Sequence, residues 1–170
     1  MIERSVIQGR VKVSIRLATA SDADLLARFR YAFRSSLDSA SESEEEFVRR
    51  CSLWMQERLR GDSCWRCWIA EQDQTPVGNL WMQLIEKIPN PTVEPEYHAY
   101  VTNFYVQQEA RGKGIGALLL TAALDWGKSR NVHAAILWPT QQSRSLYERH
   151  GFGVRADLLE LMMAGEGEEQ

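Results

Sequence analysis

Hydrophobic and polar residues alternate from Val11 to Leu17, the period of two that predicts a half-buried strand. Two segments with helical spacing follow. Ser21 to Asp24 resembles a capping box that begins the first helix. Three glutamates, residues 44–46, occupy the first turn of the second helix, where the helix dipole favours negative charge. The chain therefore begins as strand, helix, helix.

The middle of the chain predicts strands again. Residues 65–70 and 77–88 indicate a hairpin whose turn is Asp73 to Pro76. After a Pro-rich loop, Tyr97 to Val106 is a long run of aromatic and β-branched residues, typical of a strand. An amphipathic helix follows, with its apolar positions at Ile115, Leu118, Leu119, Ala122 and Trp126.

The last part predicts a strand from Ala134 to Trp138 and a short helix from about Gln141 to His150. Gly151 is the expected left-handed end of that helix. One or two strands are predicted between Phe152 and Met163. The resulting order, β-α-α-β-β-β-α-β-α-β(-β), indicates an α/β fold with a mixed sheet.

The pattern also suggests how the chain is divided. Residues 1–10 are interpreted as an N-terminal lead-in or an extra edge strand, and residues 11–163 as one domain. Residues 164–170 are small, acidic or amide, which predicts a disordered tail. A length of 170 residues, 44% of them hydrophobic, suits one domain with a substantial core.

Charge and hydropathy exclude several classes of partner. The net charge is -3, and no cluster of basic residues suggests nucleic-acid binding. The apolar runs are far shorter than the roughly 20 residues that cross a bilayer, and Met1 to Ser5 lacks the pattern of a signal peptide. We therefore expect a soluble, cytoplasmic protein with neither a nucleic-acid nor a membrane partner.

Metal and covalent chemistry are also disfavoured by the sequence. Three cysteines, an odd count, suit a reducing compartment. Cys64 and Cys67 form a C-x-x-C pair, but residues three apart on a strand point to opposite faces. Three dispersed histidines add no ligand set, so no metal is expected. No motif pairs a serine or cysteine with a histidine, which disfavours a covalent acyl-enzyme.

A glycine-dense turn, residues 111–116, lies between the predicted strand 97–106 and the next helix. A helix N-terminus presents unpaired backbone N–H groups and the positive end of its dipole. Glycines let an anion approach that backbone closely, so such a turn suits a pyrophosphate. The spacing differs from the Walker and the dinucleotide glycine motifs. Close helix–sheet packing is the structural alternative for these glycines.

Two motifs resemble those of a known family. Arg111-x-x-Gly114-x-Gly116, flanked by Phe104-Tyr-Val106 and by Ala117-Leu-Leu-Leu120, closely resembles the acetyl-CoA motif of the GNAT family of N-acetyltransferases. Ser143 to Phe152 is similar to that family's second motif. The resemblance covers residues 15–163, although the diagnostic residues lie within 97–152.

The resemblance implies the acyl-CoA N-acyltransferase fold, a single-domain α/β structure with a mixed, splayed sheet flanked by about four helices. It implies an N-acetyltransferase that uses acetyl-CoA as cosubstrate and a primary amine of a small molecule or peptide as acceptor. A homodimer is a further expectation from the family.

The resemblance also implies where acetyl-CoA binds. Pantetheine would pair with the strand backbone, a backbone N–H near Phe104 would polarise the thioester carbonyl, and the pyrophosphate would rest on the glycine turn. Thr140 stands where many members carry Asn; threonine can cap a helix but lacks the amide's paired donor and acceptor. The implied binding residues are Phe104, Tyr105, Val106, Arg111, Gly112, Lys113, Gly114, Ile115, Gly116, Thr140 and Ser143.

Two residues are candidates for proton transfer. Tyr147 stands where the family often places the acid that protonates the departing CoA thiolate; packing of its helix is the structural alternative. His98, 13 residues before Arg111, stands where some members of the family carry a catalytic carboxylate on the same strand, and a histidine there suits proton transfer at neutral pH, which makes it the candidate base. A structural histidine is the alternative, and Glu94 and Glu96 are further candidates.

Other functions remain open at this point. The same fold could bind acyl-CoA without transferring the acyl group, as a sensor or interaction domain, and a longer acyl chain could replace acetyl. The acidic stretch 42–46, with Glu94 and Glu96, could attract a cationic acceptor such as a polyamine or an aminoglycoside. A solvated helix start is the ordinary explanation of that stretch.

Overall fold

The computed structural model describes residues 4–8 and 11–163. Within them, six strands form one sheet in sequence order. Every neighbouring pair is antiparallel except the last, which is parallel, so the predicted mixed sheet is confirmed. The strands are β1 (Arg4–Gln8), β2 (Val11–Leu17), β3 (Trp65–Gln72), β4 (Thr75–Glu86), β5 (Tyr97–Val106) and β6 (Val132–Ile136).

The described residues also contain four α-helices, as predicted: α1 (Ala23–Ser35), α2 (Glu44–Leu59), α3 (Ile115–Ser129) and α4 (Arg144–Arg149). Ser43 and Glu46 form the capping box of α2. At the start of the first helical segment the box consists of Thr19 and Asp22, two residues earlier than the sequence indicated. The difference arises because a short 3₁₀ turn, Ala20–Asp22, precedes α1.

The chain divides into two compact units, residues 1–138 and 139–170. The first contains the whole sheet and α1 to α3; the second contains α4 and the residues after it. The lead-in includes β1, which pairs with β2 as an edge strand. The predicted tail, 164–170, lies outside the described residues.

The core of the first unit is apolar on both faces of the sheet. Side chains from α1, α2 and the sheet form one buried cluster, in which Leu26, Ile69 and Trp81 are almost fully buried. Trp126 of α3 packs edge-on against Trp68 of β3, with ring centroids 5.7 Å apart. These contacts fix the positions of α1 and α3 relative to β5, on which the candidate site depends.

The sheet is splayed between its last two strands. β6 pairs with β5 only from Tyr97 to Tyr100, opposite Val132 to Ile136, whereas β5 continues to Val106. The two strands therefore diverge after Tyr100, as the resemblance implied.

A β-bulge interrupts β5 near its C-terminal end. Asn79 pairs with Tyr105 and Trp81 with Thr102, so two residues of β5, Asn103 and Phe104, lie opposite the single residue Leu80. Bulges of this kind bend a strand and re-aim its backbone. The bulge therefore sets the direction of the backbone just before the glycine turn.

The predicted C-terminal strands are absent from the described residues. Residues 152–163 form turns and irregular backbone, and their large apolar side chains, such as Leu159 and Leu161, are exposed. A strand requires a neighbour that accepts and donates its backbone hydrogen bonds. The apolar pattern of this segment did not reveal whether such a neighbour exists, and the prediction was wrong.

Within the described residues, no helix has both the length and the apolar character that a bilayer crossing requires.

Gly78 offers a test of how the bulge is held. A Cβ at this position would lie 2.7 Å from the backbone oxygen of Tyr105. Because backbone cannot rotate away, we expect Gly78→Ala to lower the free energy of unfolding by about 1–3 kcal/mol. Urea denaturation measures this. Gly153→Ala is the control, since its Cβ meets nothing within 4 Å; equal losses in both variants would contradict the prediction.

Candidate active site

The glycine turn connects β5 to α3 through a 3₁₀ turn, Gln108–Ala110. Gly112 and Gly114 have φ angles of 74° and 71°, in the left-handed region that side chains disfavour. Gly114 is the N-cap of α3, and Ile115 is the first buried residue after the turn. Backbone geometry alone thus requires the first two glycines, whereas Gly116 lies inside the helix with no such requirement.

The electrostatics of this turn favour an anion. α3 is 15 residues long, and no acidic residue stands in its first turn. Its N-terminal N–H groups and dipole therefore act without a neighbouring carboxylate. Lys113 is exposed at the rim. Arg111 is exposed too, and its Nε donates to the backbone oxygen of Val106 at 2.9 Å, which connects the turn to the end of β5.

The bulge before this turn is held by two asparagines. Asn103 has a φ of 45°, a left-handed conformation that asparagine tolerates better than most residues. The side-chain amide of Asn79, which is fully buried, donates to the backbone oxygen of Asn103 at 2.9 Å. Sequence analysis missed both residues. An asparagine within a run of β-formers was the only available signal.

His98 lies on β5 beside His133 of β6, with ring centroids 5.2 Å apart. Its Nδ1 is buried and has no hydrogen-bond partner among the described residues. His98 is five residues before Asn103, about 16 Å along an extended strand. A proton would therefore have to pass between His98 and the bulge through water.

Glu94 is hydrogen-bonded to two neighbouring side chains. Its carboxylate accepts hydrogen bonds from the side chain of Asn90 and, at 3.0 Å, from Lys87 Nζ. These bonds, that from Asn90 first, lower the pKa of Glu94. A lower pKa weakens a base, so Glu94 is less suited than His98 to accept a proton from an amine.

Tyr147 belongs to the second unit, where it is 7% exposed and its ring lies edge-on to Phe152 at 5.7 Å. Burial raises the pKa of Tyr147 to about 12, although a hydrogen bond with Ser143 acts in the opposite direction. The phenol therefore keeps its proton throughout the neutral range.

Thr140 caps the turn that leads into α4. Its Oγ1 accepts from the backbone N–H of Ser143 at 3.3 Å and lies 2.9 Å from the Ser143 hydroxyl. Thr140 therefore caps this turn and not the helix, whose N-cap is Ser143. The hydroxyls of Thr140 and Ser143 also bond each other. Gly151 ends the helix with a φ of 88°, as predicted.

The candidate residues thus fall on two segments. His98, Phe104 to Val106 and residues 111–116 follow one another along β5, the glycine turn and the start of α3. Thr140, Ser143 and Tyr147 lie in and just before α4, in the second unit. Among the described residues, no group of three His, Cys, Asp or Glu side chains could hold a metal ion. Cys67 is buried in the core, whereas Cys64 is exposed.

A family model described as the acetyltransferase (GNAT) family matches residues 27–152. The chain belongs to this family. The match spans both motifs, the bulged strand and most of α1, so the resemblance drawn from the glycine turn and from Ser143 to Phe152 is confirmed.

Solved structures of GNAT proteins share the fold. A predicted acetyltransferase from Clostridium acetobutylicum, solved with acetyl-CoA, superposes with a TM-score of 0.72 and 24% identity, covering 88% of this chain and 96% of that one. A ribosomal-protein-alanine N-acetyltransferase from Brucella melitensis superposes with a TM-score of 0.65 and 22% identity, covering 91% of this chain and 99% of that one. Glucosamine-6-phosphate N-acetyltransferase from Arabidopsis thaliana superposes with a TM-score of 0.64 and 19% identity, covering 89% of this chain and 99% of that one.

At these identities the similarity concerns the fold, and the acceptors of those enzymes are properties of those proteins. No curated protein sequence matches the chain.

Proposed function

We propose that this GNAT protein transfers the acetyl group of acetyl-CoA directly to a primary amine of a small molecule or peptide. The observation that carries the proposal is the glycine turn at the end of a bulged, splayed strand. Its two left-handed glycines expose the N-terminus of α3, and no acid occupies that helix's first turn. This arrangement suits a pyrophosphate.

The residues of the first unit would bind and polarise the cosubstrate. Acetyl-CoA supplies a thioester whose carbonyl carbon is open to attack by an amine. The backbone of Phe104 to Val106 would align its pantetheine arm where β6 has diverged from β5. A backbone N–H near the bulge would stabilise the developing negative charge on the carbonyl oxygen.

The transfer needs two proton movements. The neutral amine nitrogen attacks the carbonyl carbon, the new C–N bond forms, and the C–S bond breaks. The nitrogen loses its proton through water to His98, and the sulfur takes a proton from Tyr147. A phenol with a pKa of about 12 is protonated at neutral pH and so remains available as a donor.

The first test concerns the glycine turn. We expect Gly116→Asp to weaken acetyl-CoA binding at least tenfold, because a carboxylate would stand among the N–H groups that face the pyrophosphate. The same carboxylate is favourable for the helix dipole, so the fold should remain intact. Calorimetric titration of acetyl-CoA measures the affinity.

Gly116→Ala is the control for that variant, since it adds the Cβ without the charge and should bind nearly as well as the wild type. Equal binding by the aspartate variant and the wild type would contradict the proposed pyrophosphate site.

The second test concerns Tyr147. Tyr147→Phe keeps the ring that contacts Phe152 and removes only the hydroxyl. We expect kcat to fall about 100-fold, as for loss of a general acid, with acetyl-CoA affinity nearly unchanged. In the wild type, ionisation of Tyr147 should cause no loss of rate until the pH nears 12. An unchanged kcat would assign the tyrosine to packing alone.

The third test concerns His98. We expect His98→Gln to lower kcat at neutral pH roughly 100-fold, because the amine would lose the group that accepts its proton. His133→Gln is the matched control, because the two rings are in contact and only His98 is proposed as the base. If both variants keep the wild-type kcat, another group accepts the proton.

The same measurements separate transfer from binding alone. Binding of acetyl-CoA without transfer to any amine would favour a sensor of the same fold over the enzyme.

A further inference from the structure

Four of the six acidic residues that suggested a cationic acceptor already have a partner. Glu42 pairs with Arg50, and Glu44 lies 3.2 Å from Arg28. Glu46 closes the capping box of α2, and Glu94 pairs with Lys87 at 3.0 Å. A carboxylate with a cationic or N–H partner attracts a second cation only weakly. These residues therefore give little reason to expect a polyamine or an aminoglycoside.

The opposite charge is found beside the bulge. Arg30 of α1 is half-buried, and its Nη1 lies 3.5 Å from Oδ1 of Asn103. Its Cζ is 6.0 Å from the ring centroid of Phe33. Both contacts are at the outer limit for their kind. Among the described residues, no carboxylate pairs with this guanidinium, whereas four other arginines of the first unit form ion pairs: Arg16, Arg28, Arg50 and Arg58.

Packing of α1 keeps this guanidinium at the bulge. Phe29 and Phe33 both contact the ring of Tyr105, at 5.7 and 6.0 Å between centroids. α1 therefore crosses β5 beside residues 103–105, with Arg30 between the two phenylalanines in sequence. The groups that act electrostatically on Arg30 are Arg34, Cys51 and Tyr100, so no carboxylate is among them. Desolvation and the like charge of Arg34 lower the pKa of Arg30.

A half-buried guanidinium without a counter-ion is costly to maintain unless a ligand supplies one. Its planar fork of five N–H donors matches a carboxylate or a phosphate, which it binds with two parallel hydrogen bonds. The proposed function brings the acceptor amine to the thioester carbonyl near Phe104, next to Asn103. An anionic group a few bonds from that amine would reach Arg30.

We infer that the acceptor is an amine that also carries a carboxylate or phosphate, and that Arg30 binds this group and selects for it. The inference rests on the proposed transfer activity and adds the class of acceptor. Arg30 acts as a specificity residue that holds the acceptor, with no part in the proton transfers.

The test measures acetyl transfer by the full chain to matched pairs of acceptors. Each pair differs in the anion alone: L-alanine and L-alaninamide, glucosamine 6-phosphate and glucosamine, and a tripeptide with Asp or Asn at its second position. Spermidine and kanamycin are tested beside these pairs as cationic acceptors. Release of CoA gives kcat/KM, which is corrected to the neutral amine because the members of a pair ionise differently. The first two pairs distinguish carboxylate from phosphate as the preferred anion.

We expect at least one anionic member to exceed its neutral partner tenfold or more in kcat/KM. Arg30→Gln should lower kcat/KM for that acceptor roughly 10- to 100-fold, the effect of losing a charged hydrogen bond, mainly through KM. Arg30→Lys should restore part of the loss, since it keeps the charge without the fork. Arg49→Gln, an equal charge change at an exposed position of α2, should have little effect.

Three results would overturn the inference: preference for neutral or cationic acceptors, transfer to none of the anionic ones, or equal loss in the Arg30 and Arg49 variants. Transfer to any acceptor, with acetyl-CoA binding that Gly116→Asp weakens, would leave the proposed function standing in each case. Failure of the wild type to bind acetyl-CoA would overturn both.

Discussion

The candidate site depends on the way β4 and β5 pair around one extra residue. Gly78 lets the backbone of Tyr105 approach, with no room for a Cβ, and the buried amide of Asn79 donates a hydrogen bond to the displaced carbonyl of Asn103. A bulge bends its strand and leaves one residue outside the ladder. Here the bend occurs after β6 has diverged from β5. The sheet is therefore already splayed at the point where the bulge re-aims β5 towards the glycine turn.

The glycines of the turn have two separate physical explanations. Gly112 and Gly114 adopt left-handed backbone, so the chain needs them to begin α3 with or without a ligand. Gly116 sits in ordinary helix, where glycine costs about 1 kcal/mol relative to alanine. Close approach of a pyrophosphate to the first helical turn gives a reason to keep it there. Gly116 is therefore the glycine of the turn that backbone geometry explains least and that ligand binding explains best.

Contacts between helices and strands decide which charged side chains have a partner of opposite charge. Four glutamates lie close to arginine, lysine or capping N–H groups, so their effect on a ligand is small: Glu42, Glu44, Glu46 and Glu94. Arg30, which the sequence did not single out, lacks a counter-ion among the described residues. Net charge gives no indication of this difference, because a charge that is already paired with an opposite charge attracts a ligand less than an unpaired one does.

The amino-acid sequence by itself determined most elements, the mixed α/β class and the family, because hydrophobic period, caps and the glycine spacing are local properties. It identified Tyr147, His98 and residues 111–116 as candidates for the same reason. Tertiary structure decided the bulge at Asn103, the burial of Asn79 and the position of Arg30 beside β5, which arise from pairing and packing between distant segments. It also decided against the C-terminal strands within residues 152–163, since a strand exists only where another strand completes its hydrogen bonds.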